Sequence, residues 1–539
     1  MGINKVILIG LLAGGAYSSA FAAPAVPDSS EWREIRHIRE LNPWLGSGNA
    51  AGLLTVAAPK LSEARLYADK GNGSWVDYYQ SPNSLKMGAQ AESFYPFSPS
   101  VVLYGKVDYS SFTGKDMGGS YFIDPTQTPF DMVEYADDNR GTKKLETYSL
   151  NGGVGAELSQ ELSAGADVSY TSANYAKQKD LRHVNELLDM RVSAGLLYKL
   201  HPDFHIGANY GYRRRVEGLS LDTYSQSEEI FYTLVSYGAF LGSREAFGEN
   251  GYTKENEDKP LIDEYHGGAL QMDWRLSGRV NLFCEFGYQW RSGQYGTKSP
   301  SSVVYSEHNS GVLSCNSALS VVQGKNKHLF RLSYNREMLH NSENIYRYES
   351  EAGGKTDVAY YGSLDVAEHA KRRVTADYTA YIGERHGAPV WITHVSLDHY
   401  RREQIASRHP YYRLQRLHTS ALRLAFERNF TGKRDSYNIR LGGGYGFGGG
   451  DRNIDGTYAT PSADQPPPRT MDTFLLHEFE YLTARQVNGE VAFQYARQVG
   501  GKGLRLFGSL SYGITRALEA EYVPGHSRHG IRLVLGCAF

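Results

Sequence analysis

The chain has 539 residues, including 58 glycines and 40 tyrosines, with a formal net charge of −2 and a mean hydropathy of −0.47. This charge balance argues against nucleic acid as a partner, and the absence of a later run of about 18 apolar residues excludes a helical membrane protein. Three scattered cysteines, Cys284, Cys315 and Cys537, do not suit a disulfide framework or a metal cluster. We therefore expect no metal and no cofactor.

The first residues predict a secretory signal peptide at 1–22. Lys5 precedes an apolar run from Val6 to Ala13, and small residues end the segment at Ala20 and Ala22. The apolar run is too short to remain as a membrane-spanning helix.

The segment ahead of the first strand predicts a short helix and a compact glycine-rich stretch. Asp28 and Glu31 stand at capping-box spacing, and a periodic apolar face continues through Ser30–Leu41. Asn42-Pro43 then ends the helix. The following residues, 44–52, are mostly small, so their backbone can lie close to a wall.

Alternation of apolar and polar residues recurs along the chain after about residue 60. In 204–213, for example, every second residue from Phe204 to Tyr212 is apolar or aromatic. Many such segments in series, each long enough to cross a bilayer obliquely, are typical of a transmembrane β-barrel. Short turns alternate with long connections, as in barrels with short periplasmic turns and long external loops.

These patterns predict an all-β fold, a transmembrane antiparallel barrel of about 18 strands, with 16 and 14 strands as alternatives. The expected domains are a signal peptide at 1–22, an N-terminal plug segment at 23–60 and the barrel at 61–539. The plug is expected to be helical and irregular and to fill the lumen. Removal of residues 28–52 should therefore open a channel.

The last strand combines a period of two with a terminal aromatic residue. From Ile531 to Phe539 every second residue is apolar, and the residues between them are small or polar. This ending resembles the assembly signal of bacterial outer-membrane barrels. The resemblance implies that Phe539 is recognised by the barrel-insertion machinery and that the protein lies in the outer membrane of a Gram-negative bacterium.

Alternation also places charged residues of both signs on the lumen wall. They can pair with each other and hold a plug, or they can form a basic selectivity surface for anionic or amphipathic solutes. The predicted lumen and plug residues are Asn42, Pro43, Trp44, Arg213, Arg215, Arg373, Asp377 and Asp398.

A second cluster is predicted on the outer face of one external hairpin. His399, Arg401, Arg416 and His418 take lipid-facing positions near its turn, where they could contact the phosphates of lipopolysaccharide. An uneventful rim is the alternative. Ser420 lies one residue pair below, so a membrane-embedded Ser/His lipase must be considered. No acidic or amide partner for the histidines is identifiable, however. We expect no enzyme.

The connection 218–260 contains an apolar, aromatic run that is odd for a solvated loop. Such a run marks an interface or a loop folded inward. The acidic residues 255–258, and Asp451 with Asp455, could bind Ca²⁺, but their spacing is not that of an EF-hand and solvated loops are expected. The predicted ligand- or partner-contact residues are Ile230, Phe231, Tyr232, Tyr237 and Phe240.

Two resemblances bear on function. The segment around Asn42-Pro43 resembles the N-terminal hatch of the long-chain fatty-acid channel family, although Trp44 stands where that family has alanine. The whole chain resembles outer-membrane barrels of Bacteroidota, often encoded beside TonB-dependent receptors and surface lipoproteins. The latter implies an accessory or scaffold subunit of a surface nutrient-uptake complex with those partners. The former implies the alternative, a gated uptake channel for a small hydrophobic or amphipathic ligand.

Overall fold

The structure is a computed structural model. It describes residues 35–56, 61–135, 139–224, 229–248, 251–254, 259–299, 302–350, 356–385, 387–500 and 503–539. The predicted signal peptide, the capping box and the acidic stretch 255–258 lie outside the described residues.

Eighteen antiparallel strands form a closed barrel. Numbered along the chain, they are β1 (Leu61–Asn72), β2 (Asn83–Ser98), β3 (Val101–Met117), β5 (Gly141–Glu157), β6 (Leu162–Lys177), β7 (Arg182–His201), β8 (Phe204–Asp222), β11 (Lys259–Ser277), β12 (Val280–Ser299), β13 (Ser302–Gln323), β14 (Asn326–Ser350), β15 (Thr356–Arg385), β16 (Ala388–Arg408), β17 (Tyr411–Thr431), β18 (Asp435–Thr457), β20 (Gln486–Gln498), β21 (Arg505–Ala517) and β22 (Ser527–Ala538). The ring closes because β1 pairs with both β2 and β22. The prediction of an all-β barrel with 18 strands is confirmed.

The remaining elements are smaller. Four short strands form a separate sheet in the order β19 (Arg469–Thr470), β10 (Leu241–Ala246), β9 (Tyr232–Gly238) and β4 (Asp131–Glu134). The N-terminal segment, residues 35–56, holds one helix and two 3₁₀ helices, so only the second half of the predicted helix Ser30–Leu41 is described, and that half is helical. The elements are α1 (Ile35–Leu41), the 3₁₀ helices Pro43–Gly46 and Ala50–Thr55, β4 (Asp131–Glu134), β9 (Tyr232–Gly238), β10 (Leu241–Ala246), β19 (Arg469–Thr470) and α2 (Asp472–Thr483).

The two ends of the barrel differ in their connections. At one end, tight turns such as 202–203 and 324–325 join consecutive strands. At the other end lie the long connections that contain the four-stranded sheet and α2. Because barrels of this kind have short periplasmic turns and long external loops, we refer to these ends as periplasmic and external.

The outer face carries an apolar belt. Alternate residues on each strand point outward, and large apolar side chains such as Phe286, Leu397, Leu441 and Leu535 are each more than half exposed. A strand in a barrel wall has one face toward lipid, where apolar side chains are stable without protein contacts. Among the described residues, no helix combines the length and apolar character that a membrane crossing requires.

Candidate functional site

The N-terminal segment lies inside the barrel near its periplasmic end. Arg39 donates to Glu92 on β2, and Arg331 on β14 donates to the carbonyl of Glu40. Strands β2 and β14 are nine steps apart in a ring of 18, so one short segment contacts opposite walls. Only a segment within the lumen can do so.

The predicted residues Asn42, Pro43 and Trp44 lie in this lumen. The Asn42 side chain accepts from the Trp44 backbone N–H at 3.1 Å and so caps the 3₁₀ helix that Pro43 begins. The Trp44 indole Nε1 donates to Asp273 at 2.7 Å, and its ring meets Phe283 edge-on at 5.2 Å between centroids. The polar and apolar parts of this buried tryptophan are therefore both satisfied.

Glycines in the wall allow this close approach. A Cβ atom on Gly165 would stand 2.2 Å from the backbone N of Ala51, and one on Gly195 would stand 2.2 Å from Oδ1 of Asn49. The Asn49 amide in turn donates to the carbonyl of Leu196 at 2.8 Å. The second 3₁₀ helix therefore lies directly on the backbone of β6 and β7.

The predicted charged residues of the lumen pair with neighbouring residues of the barrel wall. These ion pairs join one wall residue to another, and a role of these residues in holding a plug stays a prediction. Cross-strand neighbours lie only about 5 Å apart, which brings opposite charges together locally. The pairs are Arg213 with Asp189 (2.8 Å), Arg215 with Glu217 (2.6 Å), Arg373 with Asp398 (3.4 Å) and Asp377 with His394 (3.7 Å).

The external end of the lumen is occupied by a second element, which we call the cap. It comprises β4, β9, β10, β19, α2 and the loop residues 118–130. Lys143 on β5 donates to the Ser120 carbonyl at 2.7 Å, and Arg402 on β16 donates to the carboxylate of Glu478 on α2 at 2.9 Å. Because β5 and β16 are also nine steps apart, the cap spans the lumen.

Buried ion pairs join the cap to the wall. Arg402 on β16 binds both carboxylate oxygens of Glu478 on α2, each at 2.9 Å. Lys177 at the end of β6 pairs with Glu134 on β4. Two-point binding of a carboxylate by arginine fixes orientation as well as distance, so α2 is held in one position against β16.

The predicted contact run 230–241 lies mostly within the cap. Phe231, Tyr237 and Phe240 are buried, and Tyr232 is partly buried. The run folds inward because β9 pairs with β4 and β10, which places its apolar side chains in the core of the cap. Phe231, Tyr232, Tyr237 and Phe240 therefore do not form the exposed contact surface that was expected. Of the five predicted contact residues, Ile230 is the one that is exposed.

Two carboxyl groups of the cap have perturbed acidity. Burial raises the pKa of Asp131 on β4 to about 6, although Ser120 and Tyr78 donate hydrogen bonds to it. Burial also raises the pKa of Glu245 on β10 to about 7, against hydrogen bonds from Thr253. In both cases the loss of hydration outweighs the hydrogen bonds.

Cavities remain on two sides of the lumen, one of about 280 Å³ beside Leu41 and Pro43 and two others against the wall around Lys106. Two cavities of about 270 and 430 Å³ both contact Lys106 and Asn151, and together we call them the chamber. Five cations and three carboxylates line it: Arg39, Lys86, Lys106, Arg191, Arg532, Asp69, Asp108 and Asp167. The excess of cations gives the chamber a basic character.

The predicted outer cluster does face outward. The sequence reasoning missed Glu403, which stands two residues beyond Arg401 on the same face, 3.8 Å from Arg401 and 3.1 Å from Arg416. His399 Nδ1 lies 2.9 Å from the Ser420 hydroxyl, and among the described residues no acid or amide is bonded to the other ring nitrogen of His399. The pair thus lacks the orienting group of a catalytic triad.

The described acidic residues that were considered as Ca²⁺ ligands do not form a cluster of three or more. Asp455 is bound by Arg413 at 2.7 and 2.9 Å, which also lowers the pKa of this exposed loop-side carboxyl. Within the described ranges, no three histidine, cysteine or acidic side chains are placed to hold a metal ion.

A closed antiparallel barrel with an outward apolar belt resembles the outer-membrane proteins of Gram-negative bacteria. Residues 50–539 match a family of unknown function, DUF6850, and the chain belongs to that family. No curated protein matches the sequence.

Several solved barrels are similar in overall architecture. The ferric preacinetobactin receptor BauA of Acinetobacter baumannii is 7% identical, with 89% of this chain and 79% of that chain covered and a TM-score of 0.42. The outer-membrane transporter YddB of Escherichia coli is 8% identical, with 88% and 81% covered and a TM-score of 0.39. The toluene transporter TodX of Pseudomonas putida is 12% identical, with 91% and 92% covered and a TM-score of 0.29.

Proposed function

We propose that the protein is an outer-membrane barrel closed at rest, which acts as an accessory or scaffold subunit of a surface nutrient-uptake complex. The observation that carries this proposal is the packed core of the cap. Leu234, Val235 and Tyr237 have no measurable exposure. Arg402 binds Glu478 on α2, the helix that packs against Leu234.

The core argues against free diffusion through the barrel. Displacing the cap would expose several large apolar side chains at a cost of roughly 1.5–3 kcal/mol each. A lumen closed so firmly suits a subunit that supports partners with its external surface. From the resemblance of the chain, the partners proposed are a TonB-dependent receptor and surface lipoproteins.

A gated channel is the second candidate, and the chamber favours it. Its cations, among them Lys106 and Arg191, could bind an anionic or amphipathic solute between the N-terminal segment and the wall. In that case a partner or ligand must displace the cap before the solute passes.

The closed state is tested by conductance in planar lipid bilayers. The intact protein should conduct ions poorly, and so should a variant lacking residues 35–52, because the cap still spans the lumen. Replacing 229–248 by a short Gly-Ser linker in that variant should produce large, stable conductance steps. Intact protein that conducts as well as the double variant would overturn the closed barrel.

Purification from native outer membranes in mild detergent separates the two candidates. Partner proteins in a constant ratio support the scaffold. A barrel that purifies alone with a bound amphipathic molecule supports the channel, and Lys106→Gln with Arg191→Gln should then release that molecule. Arg423→Gln, another inward arginine outside the chamber, is the matched control.

A further inference from the structure

A row of basic residues crosses four neighbouring strands on the outer face of the barrel. Arg336 on β14 stands directly opposite Arg372 on β15, and Arg372 stands directly opposite Arg401 on β16. Arg401 in turn stands opposite His418 on β17. With strands about 4.8 Å apart, four basic side chains lie within roughly 15 Å. We call these four residues the basic row.

Such a row is unfavourable without a counter-charge. Like charges directly opposite each other destabilise a sheet, and cations on a lipid-facing surface have a further cost that falls toward the membrane interface. Elsewhere on the outer face the chain places opposite charges together: Arg214 on β8 stands opposite Glu264 on β11, with 3.9 Å between Nε and Oε1.

The protein itself neutralises the basic row only in part. Glu403 is shared between Arg401 and Arg416 and lies closer to Arg416. Arg372 is exposed and has no acidic partner among the described residues. The Nε of Arg336 is enclosed without a hydrogen-bond acceptor in the described part of the chain, and its Nη2 meets only the sulfur of Met338.

One to two residue pairs from the basic row, toward the periplasmic end, the surface becomes apolar. Leu332, Val374, Leu397 and Leu422, one from each of the same four strands, are all at least one-third exposed. His399 and Ser420, which are hydrogen-bonded to each other, mark the transition on β16 and β17. The basic row therefore lies at the external edge of the apolar belt, where headgroups meet acyl chains.

We propose that the basic row binds the phosphate groups of a glycolipid in the outer leaflet, whose acyl chains lie on the apolar side chains below. Arginine suits this ligand because its planar guanidinium can donate two parallel hydrogen bonds to one phosphate. The apolar surface favours a lipid-anchored phosphate over a free one, because only the lipid covers both parts of the site.

The test uses the full-length barrel, purified in detergent and freed of lipid, with a bis-phosphorylated glucosamine-disaccharide lipid as the probe. Native mass spectrometry measures the bound fraction. Replacing Arg336, Arg372 and Arg401 together by glutamine should weaken binding by at least about tenfold, because charge-assisted hydrogen bonds are lost. Arg214→Gln is the matched control and should bind the probe as the parent does.

Three outcomes would overturn the proposal: equal binding by the triple variant, equal binding of a dephosphorylated probe, or displacement of the lipid by inorganic phosphate at low millimolar concentration. The last result would identify a site for the free anion. Assembly of each variant is checked by its heat-dependent mobility in gel electrophoresis. If the triple variant does not assemble, Arg372→Glu alone, which changes one exposed side chain, must still reduce binding.

Discussion

The N-terminal segment and the cap lie at opposite ends of one lumen and are held there by different contacts. Each connects walls nine strands apart, so each crosses the barrel. The N-terminal segment is held by two small apolar clusters around Trp44 and Leu53, by hydrogen bonds, and by ion pairs whose arginines, Arg36 and Arg39, are 47% and 40% exposed. The cap is held by a packed apolar core and by ion pairs with little exposure, such as Lys177 with Glu134.

Because of this difference, we expect the N-terminal segment to be more mobile than the cap. Exposed ion pairs contribute little stability and compete with water, whereas a packed core resists displacement through many simultaneous contacts. The N-terminal segment is thus the easier of the two to move. The expectation that its removal alone opens a channel is revised accordingly, because the cap remains in place.

The largest expected effect is on the free energy of unfolding, when a buried leucine in either element is shortened to alanine. Leu234→Ala in the cap should lower the free energy of unfolding by about 4 kcal/mol, because Leu234 is fully buried in a dense cluster. Leu53→Ala in the N-terminal segment should cost about 2 kcal/mol, since its smaller cluster can partly close around the cavity. Urea unfolding in lipid vesicles measures both. Equal losses would remove the contrast between the two elements.

The second effect concerns the contact between the N-terminal segment and the barrel wall at Gly165. Gly165→Ala should push the second 3₁₀ helix away from β6, because the new methyl group would meet the backbone of Ala51, at a cost of about 1–3 kcal/mol. Trypsin cleavage after Arg39 should then accelerate roughly tenfold. Gly105→Ala, whose methyl group would meet nothing within 4 Å, is the control. An unchanged cleavage rate in Gly165→Ala would show that the segment does not rest on this glycine.

The sequence predicts the barrel far better than its contents. Alternation along a strand depends only on neighbouring residues, so even the last strand is predictable from Ile531 to Phe539. The cap depends on pairing of the β9–β10 hairpin with β4 and β19, which are distant in the chain and carry no local signal of their partners. The run 230–241 was recognisable as odd, but not as the centre of a sheet.

The outer cluster shows the same limit at the scale of single residues. Glu403 shares a face with Arg401 because it is two residues away, so alternation alone predicts this neighbour. Arg336 and Arg372 join the cluster only through the register of β14, β15 and β16. Register between long strands depends on turns and bulges, and a shift of two residues would separate these arginines.

The smallest expected effect is a pH dependence of the cap, because the raised pKa values of two carboxyl groups are opposed by the lowered pKa, about 3, of the buried His369, whose Nε2 lies 2.9 Å from the Tyr237 carbonyl in β9. Burial raises the pKa of Glu245 from an ordinary value of 4.5 to about 7, and that of Asp131 from 3.8 to about 6. The folded cap therefore favours the protonated forms. Their contribution to stability is fully present below the unfolded pKa values near 4 and is lost as pH rises through about 6 to 7.

Hydrogen exchange of backbone amides in β9 and β10, corrected for the intrinsic rate at each pH, measures this effect. The ratio of protection in the parent to protection in Glu245→Gln should be greater at pH 5 than at pH 8, because His369 is common to both proteins, while amides of the N-terminal segment serve as the internal comparison. Glu245→Gln should flatten part of the dependence, because glutamine stays neutral and keeps an oxygen that can accept from Thr253. A ratio of parent to Glu245→Gln protection that rises with pH would contradict the assignment, since a buried carboxyl that is protonated in the folded cap favours opening when it ionises.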